Sequence, residues 1–182
     1  MDVFEAIDER RSIRDYDEDK KIPEADLQKI LHAAVHAPSA RHVLPWRFVI
    51  VESKSKHEDL SERVFDNYIL PNERAAKAKL EGKTVFHNAP LVIIVSCEEA
   101  NAKWAKEDSA LAVENMFLAA RGLGIGSCFI GMANTLNDEP EDLKAAGIPE
   151  GHKIFAVLAF GFPKGGVWPK GEKREIKILK RF

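Results

Sequence analysis

Two uninterrupted apolar runs constrain the fold of this chain more than any other feature of its sequence. PLVIIVS spans Pro90 to Ser96, and KIFAVLAFGFP spans Lys153 to Pro163. Runs of apolar and β-branched residues without polar alternation predict strands that are buried on both faces. Because a sheet with such strands needs helices on both sides, the sequence predicts an α/β or α+β architecture around one sheet.

The segments around these runs supply helices and shorter strands. Apolar residues at helical spacing predict helices from Asp2 to Arg11, from about Pro23 to Ala37 and from about Ala105 to Arg121. WRFVIVE and SCFIGM are typical of strands, NDEPEDLKAAG of a helix, and the charged stretch 54–83 of surface helix. The resulting order, αα β α(α) β α β α β, predicts a single domain over residues 1–182.

Composition limits the classes of function. Hydrophobic residues make up 45% of the 182 residues and charged residues 31%, with a formal net charge of -2. This balance is that of a globular protein and gives no general reason to expect a nucleic acid partner. Cys97 and Cys128 lie in apolar runs, where buried free thiols are usual. With no apolar run of membrane-span length and no signal-peptide pattern, these features predict a cytoplasmic protein.

The glycine-rich stretch AARGLGIGSCFIG, from Ala119 to Gly131, invites comparison with a dinucleotide-binding loop. That fingerprint requires a strand, then G-x-G-x-x-G, then a helix. Here a helix precedes the glycines, a strand follows them, and Ser127 occupies the place of the third glycine. The pattern therefore predicts a turn that ends a helix, with Gly122 or Gly124 at positive φ.

A better anion site is ERRSIRDY, where Arg10, Arg11 and Arg14 surround Ser12 just after a helix. Guanidinium groups bind phosphate bidentately, and a hydroxyl adds a neutral donor. A second basic cluster, KGEKREIKILKRF, closes the sequence. Solvated basic surfaces are the plainer interpretation of each cluster alone. An anion- or RNA-binding module is a further alternative, against which the net charge argues.

Other catalytic patterns are missing from the sequence. The six histidines form no metal-ligand spacing with the two cysteines, so no metal is predicted. No G-x-S-x-G elbow is present, which argues against a hydrolase. After the second helix, Pro38 and Pro45 stiffen the segment HAPSARHVLPWRFVIVE, in which Ser39 offers a hydroxyl.

Several of these motifs together resemble the FMN-dependent nitroreductase family over nearly the whole chain. RRSIRDY, APSARHVLPWRFVIV, GLGIGSCFIG and AFGFP occur in that order and are followed by the basic C-terminal segment. EDSALAVENMFLAARGLGIGS is similar to the central helix of the family, with Asp108 and Asn115 in characteristic places. The resemblance implies an α+β, three-layer α/β/α fold with a mixed, mainly antiparallel sheet. It also implies an intertwined homodimer with FMN at the interface.

The resemblance assigns expected roles to particular residues. Arg10, Ser12 and Arg14, with Arg11 in the same element, match positions that hold the FMN phosphate and ribityl chain. The loop that packs on the flavin ring, often from the second subunit, is matched by Pro38, Ser39, Ala40 and the following His42. The strand end along the flavin is matched by Phe129, Ile130, Gly131 and Met132, where a backbone N–H points at flavin N5. Asn72 matches a contact to the pyrimidine edge, and Lys173 or Arg174 the last phosphate contact.

The implied activity is reduction of nitroaromatics, quinones or related acceptors by two electrons from NADH or NADPH in a ping-pong cycle. The cofactor carries the electrons, so no catalytic side chain is assigned. His42 and Leu44 depart from the asparagine and glutamine of the pattern S-x-x-N-x-Q-P-W. These departures leave open a flavin-binding sensor or carrier without turnover, and they leave the physiological acceptor undetermined.

Overall fold

The computed structural model describes residues 1–67, 82–101, 103–171 and 174–182. The helices there are α1 (Val3–Glu9), α2 (Glu24–Val35), α3 (Lys54–Asn67), α4 (Ala105–Gly122) and α5 (Pro140–Ala145). The strands are β1 (Trp46–Val51), β2 (Leu91–Glu98), β3 (Gly126–Phe129) and β4 (His152–Gly161). The predicted α+β class and the predicted order of elements are confirmed for these residues.

The four strands form one sheet in the order β1-β2-β4-β3, and every neighbouring pair is antiparallel. A parallel bridge joins Ser12 to Ser127 of the edge strand β3, so the pairing is mixed but mainly antiparallel. Between β2 and β4 the register shifts after Val95, because Phe155 is an extra residue in β4. Such a bulge changes which face the following side chains occupy.

Both faces of the sheet are covered, as the apolar runs predict. Leu91, Ile93 and Val95 of β2 belong to one core cluster with residues of α2 and α4. Val92 and Ile94 point the opposite way into a second cluster with residues of α3 and of the turn of 3-10 helix that follows β3. This alternation explains why the strand sequence shows no polar period, since both faces are packed by helices.

The helix ends follow local rules with one difference from expectation. Asp2 and Glu5 form a reciprocal capping box at the start of α1. Pro23 is the N-cap of α2 rather than its first helical residue, with extended φ and ψ of -60° and 140°. Its carbonyl accepts a hydrogen bond from Leu27 N–H at 3.0 Å. This is the first hydrogen bond of the helix, which an N-cap residue accepts although its own backbone is not helical.

The glycine-rich stretch ends α4 as predicted. Gly124 has φ +74°, and the N–H groups of Gly124 and Ile125 donate to the carbonyls of Arg121 and Ala120 at 3.0 and 2.9 Å. These bonds are the Schellman pattern of a helix C-terminus. Gly126 lies beyond this turn as the first residue of β3, where a β-carbon would lie 2.5 Å from Ile13 Cγ1. Close packing of Ile13 explains the glycine there.

Candidate functional site

The segment after α1 runs beside the edge of the sheet. Ile13 N–H donates to the Ser127 carbonyl at 2.9 Å, and Ser12 bridges Ser127 in parallel. Ile13 is buried, whereas Ser12 is half-buried and Arg14 exposed. Ile13 therefore packs in the core, whereas the hydroxyl of Ser12 and the guanidinium of Arg14 are accessible to a ligand. We call residues 10–14 the arginine element.

The side chain of Arg10 is oriented by helix α4. Its Nε lies 3.3 Å from Glu114 Oε1, and its Cζ lies 5.9 Å from the ring centroid of Phe117. Glu114 and Phe117 are three residues apart and share one face of the helix. The carboxylate is paired with the inner Nε, an arrangement that suits the use of the terminal nitrogens for a bidentate contact to phosphate.

Two further guanidinium groups lie near Arg10. Arg11 Nη1 donates to the Arg10 carbonyl at 2.6 Å. Arg121, one turn beyond Phe117 on α4, forms an ion pair with Glu9 and stacks with its Cζ 3.9 Å from the ring centroid of Trp168. Three guanidinium groups therefore share two carboxylates, Glu9 and Glu114, at this corner of the molecule, which leaves a local excess of positive charge.

The backbone after β3 lies on the same side of the molecule as the arginine element. Ile130 is buried in the second core cluster, whereas Phe129 and Gly131 on either side are exposed. Met132 is half-buried in the 3-10 helix that begins at Gly131. From Ser127, which pairs with Ser12, to Gly131 an extended chain advances by at most about 13 Å. The arginine element thus lies beside β3, and the Gly131 backbone follows shortly after the end of that strand.

Packing against the described residues does not require a glycine at Gly131. A β-carbon built on it would meet no atom of the described residues within 4 Å. Within the described residues, the space beside this glycine is therefore open. The expectation that bare backbone at Gly131 approaches a ligand stays a prediction.

The loop from Pro38 to Leu44 is held by two side-chain acceptors. Ser39 Oγ accepts from Leu44 N–H, and Asp108 Oδ1 of α4 accepts from Ala40 N–H, both at 2.9 Å. Arg41, His42 and Leu44 have φ values of +54°, +56° and +48°. Positive φ in residues other than glycine is unfavourable and occurs preferentially at functional sites. The hydroxyl hydrogen of Ser39 and the exposed Pro38 and His42 remain available to a ligand.

The structure separates this loop from the arginine element. Asp108, which holds the loop, and Phe117, which faces Arg10, are nine residues apart on α4. That spacing is two and a half turns, so the two side chains point to opposite sides of the helix, about 13 Å apart along its axis. One chain therefore brings together the arginine element and the strand end, but not the loop.

Three further residues were predicted to contact the cofactor. Asn72 and Lys173 lie outside the described residues. Arg174 is described and exposed. The roles of these three residues stay predictions.

Sequence reasoning missed several polar groups near the arginine element. Glu114 pairs with the guanidinium of Arg10, and Trp168 stacks on that of Arg121. The only indication in the sequence was the charge of Glu114 and Arg121 in a largely apolar helix. His87 was also missed, since a single histidine in an unpatterned loop carries no signal. Burial, with Arg14 and Lys83 nearby, lowers the pKa of His87 to about 4, so its imidazole is neutral at pH 7.

The two cysteines are free and buried, as expected. Burial raises the pKa of the Cys97 and Cys128 thiols, although Arg14 partly offsets the effect at Cys128. A protonated thiol is a poor nucleophile, so neither is suited to covalent catalysis. Within the described parts of the chain, no group of three or more His, Cys, Asp or Glu could hold a metal ion. No helix described there is long and apolar enough to cross a membrane.

Comparison with known proteins gives one consistent result. A provisionally named NADH dehydrogenase/NAD(P)H nitroreductase of Archaeoglobus fulgidus is 37% identical over 164 residues, covering 85% of this chain and 82% of the relative. The provisionally named NAD(P)H nitroreductase YdjA of Escherichia coli is 31% identical, covering 90% of each chain. A crystal structure of a nitroreductase with bound FMN from Bacteroides fragilis superposes with a TM-score of 0.85 at 37% identity, covering 99% of this chain and 100% of that one. The family model of the Nitroreductase family matches residues 7–162, so the chain belongs to that family.

Proposed function

We propose that this chain is an FMN-dependent oxidoreductase that uses NADH or NADPH to reduce nitroaromatics, quinones or related acceptors. The observation that carries the proposal is that the arginine element runs beside β3, while the accessible backbone of Gly131 follows two residues after that strand ends. FMN has its phosphate and its ring at opposite ends of the molecule, which suits this order. The relatives named for NAD(P)H nitroreductase activity and the structure with bound FMN support the cofactors.

The protein groups bind and orient the cofactor in this proposal. Arg10 and Arg14, with Ser12, hold the phosphate and ribityl chain, while the backbone of Phe129 to Met132 lies along the ring. Bound FMN supplies the two-electron redox chemistry, in a ping-pong order that takes electrons from NAD(P)H and gives them to the acceptor. No side chain is assigned as acid or base. The positive charge around the arginine element favours an anionic ligand at this corner.

The site is completed by a second copy of the chain. The loop from Pro38 to Leu44 and the arginine element lie on opposite sides of α4, an arrangement that suits a flavin held between the arginine element of one chain and the loop of another. Val3, Phe4 and Ile7 of α1 and Ile176, Leu179 and Phe182 near the C-terminus are exposed apolar side chains. Apolar surface of this kind is typical of an interface between subunits. A homodimer with FMN between its subunits accounts for both observations.

Anaerobic titration tests the proposed activity. The purified protein should be yellow, should bleach with NADH or NADPH, and should regain its colour with a nitroaromatic compound, a quinone or an enone. A colourless protein that cannot be reconstituted with FMN would contradict the proposal. A yellow protein that bleaches but is reoxidised by none of the acceptors would instead favour a sensor or carrier role, to which the departures at His42 and Leu44 point.

The dimer has its own test. Phe4→Glu places a charge on the exposed face of α1, where Phe4 is 75% exposed in the single chain. We expect this variant to shift the protein from dimer to monomer in analytical ultracentrifugation and to lose bound FMN. Lys144→Glu, at an exposed position of α5, is the control and should remain dimeric. A stable monomer that retains FMN would contradict the shared site.

A further inference from the structure

The chain after β4 returns to the arginine element. Trp168 packs against the second core cluster, and the guanidinium of Arg121 lies 3.9 Å from its ring centroid. Three residues later, Gly171 lies so close to Arg11 that a β-carbon there would collide with Arg11 Nη2. The path of the chain from Trp168 to Gly171 is thus defined by two guanidinium groups of the preceding sequence.

Arg121 is better suited to hold this segment than to bind phosphate itself. Its side chain is only 13% exposed and forms an ion pair with Glu9, which offsets its charge. Its Nε is buried and makes no hydrogen bond with any described residue. A planar guanidinium that is stacked and ion-paired at once has little freedom left, so it offers the tryptophan ring a fixed surface.

Because Gly171 lies against Arg11, Arg174 is within reach of the arginine element. It lies three residues beyond Gly171, and an extended chain advances by at most about 3.6 Å per residue. Its Cα is therefore no more than about 11 Å from that of Gly171, which contacts the guanidinium of Arg11. The contact at Trp168 thus helps Arg11 to fix the start of the segment that leads to Arg174.

We propose that Arg121 and Trp168 are positioning residues whose stacked pair holds the C-terminal segment against Arg11 and so places Arg174 at the phosphate of FMN. This inference rests on the proposed function, because it takes the arginine element as the phosphate site. It adds a physical reason for the buried arginine on α4 and for the tryptophan that covers it. Neither residue contacts the cofactor in this arrangement.

The test compares FMN with riboflavin, which carries the same ring but no phosphate. Dissociation constants for the apoprotein are measured by quenching of flavin fluorescence. We expect Trp168→Leu to weaken FMN binding about tenfold, the loss of one charge-assisted contact, and to leave riboflavin binding unchanged. Trp168→Phe keeps an aromatic ring over Arg121 and should retain most of the affinity for FMN. Equal losses for FMN and riboflavin would overturn the positioning role in favour of a general structural one.

A double-mutant cycle shows whether the pair acts through Arg174. Arg174→Gln alone should also weaken FMN selectively, and adding Trp168→Leu should cause little further loss, because the contact that Trp168 positions is already gone. Losses that multiply in the double variant would overturn the inference. Trp104→Leu is the matched control: it removes a tryptophan beside Lys103 just before the other end of α4, and it should leave the FMN-to-riboflavin ratio unchanged.

Arg10→Ala separates this inference from the function on which it rests. If Arg10→Ala lowers the FMN-to-riboflavin ratio and Trp168→Leu does not, the positioning role is wrong while the phosphate site stands. If neither substitution lowers the ratio, the phosphate lies elsewhere and both proposals fail.

Discussion

The arginine element and the loop from Pro38 to Leu44 would present groups to the proposed cofactor in different ways. The arginine element presents side chains, which neighbours on α4 orient by charge and stacking, as Glu114 and Phe117 do for Arg10. The loop presents mostly backbone, which Ser39 and Asp108 fix by hydrogen bonds at 2.9 Å. Both regions depend on α4, but on opposite sides of it.

This difference determines how each region should respond to substitution. Charge acts over several ångströms, so losing one guanidinium weakens the phosphate contact without disturbing the ring. A backbone N–H must be placed within hydrogen-bond distance, so losing its support changes the position of a whole turn. The ratio of FMN to riboflavin affinity therefore separates the two regions: substitutions in the arginine element should change it, and substitutions under the loop should not.

The largest effect is expected from Arg10→Ala. Removing a charge-assisted contact to phosphate costs about 1.5–3 kcal/mol, so FMN should bind about 10- to 100-fold more weakly while riboflavin binding is unchanged. Fluorescence quenching of both flavins measures the two constants. Lys144→Ala removes one positive charge from an exposed position of α5 and should change neither. An unchanged FMN affinity in Arg10→Ala would remove Arg10 from the phosphate site.

Asp108→Ala should affect the loop side. It leaves the Ala40 N–H without its acceptor, at an expected cost of about 1–3 kcal/mol in the free energy of unfolding. Because the loop is proposed to pack on the flavin ring, FMN and riboflavin should weaken by the same factor. Urea unfolding of the apoprotein and the two dissociation constants provide the measurements. Asp108→Asn keeps a side-chain oxygen and should lose less. A selective loss of FMN would show that the loop serves the phosphate.

Protonation of His87, which lies near Arg14 and Lys83, should make the free energy of unfolding depend on pH. Its folded-state pKa of about 4 lies below the ordinary 6.5, because of burial first and of Arg14 and Lys83 next. Protonation thus favours the unfolded chain, so this contribution to stability is complete above pH 6.5 and is lost as the pH falls towards 4. For a half-buried group we expect a loss of about 1–2 kcal/mol.

Urea unfolding between pH 7 and pH 4 measures this loss. His87→Gln should flatten the decline, and the remainder should include buried His57, whose pKa burial also lowers. His36→Gln, at the exposed C-cap of α2, is the control and should leave the difference between the wild type and His87→Gln unchanged. An identical decline in His87→Gln and in the wild type would contradict the assignment.

Local structure was predictable where local sequence determines it. The strands of the PLVIIVS and KIFAVLAFGFP runs, the Asp2 cap and the glycine turn after α4 all follow from neighbours in the chain. The pairing of Ser12 with Ser127 and the stacking of Arg121 on Trp168 do not, because they join residues far apart that show no shared pattern. The resemblance to a family supplied roles for the arginines and the loop, but not the opposite faces of α4 or the support from Glu114 and Asp108.

The smallest effect is expected from relieving the loop backbone. His42 is exposed with φ +56°, and Val43 beside it is exposed with φ -74°. Glycine adopts positive φ without the side-chain penalty, so His42→Gly should raise the free energy of unfolding by up to about 1 kcal/mol. Val43 already has a favourable backbone conformation, so Val43→Gly relieves no strain. It should lower the free energy of unfolding by about 0.5–1 kcal/mol, because glycine increases the conformational entropy of the unfolded chain. Urea unfolding of the two apoprotein variants measures both changes, and only opposite signs are compatible with a strained loop. If both variants were destabilised equally, the unfavourable backbone at His42 would carry no measurable energy.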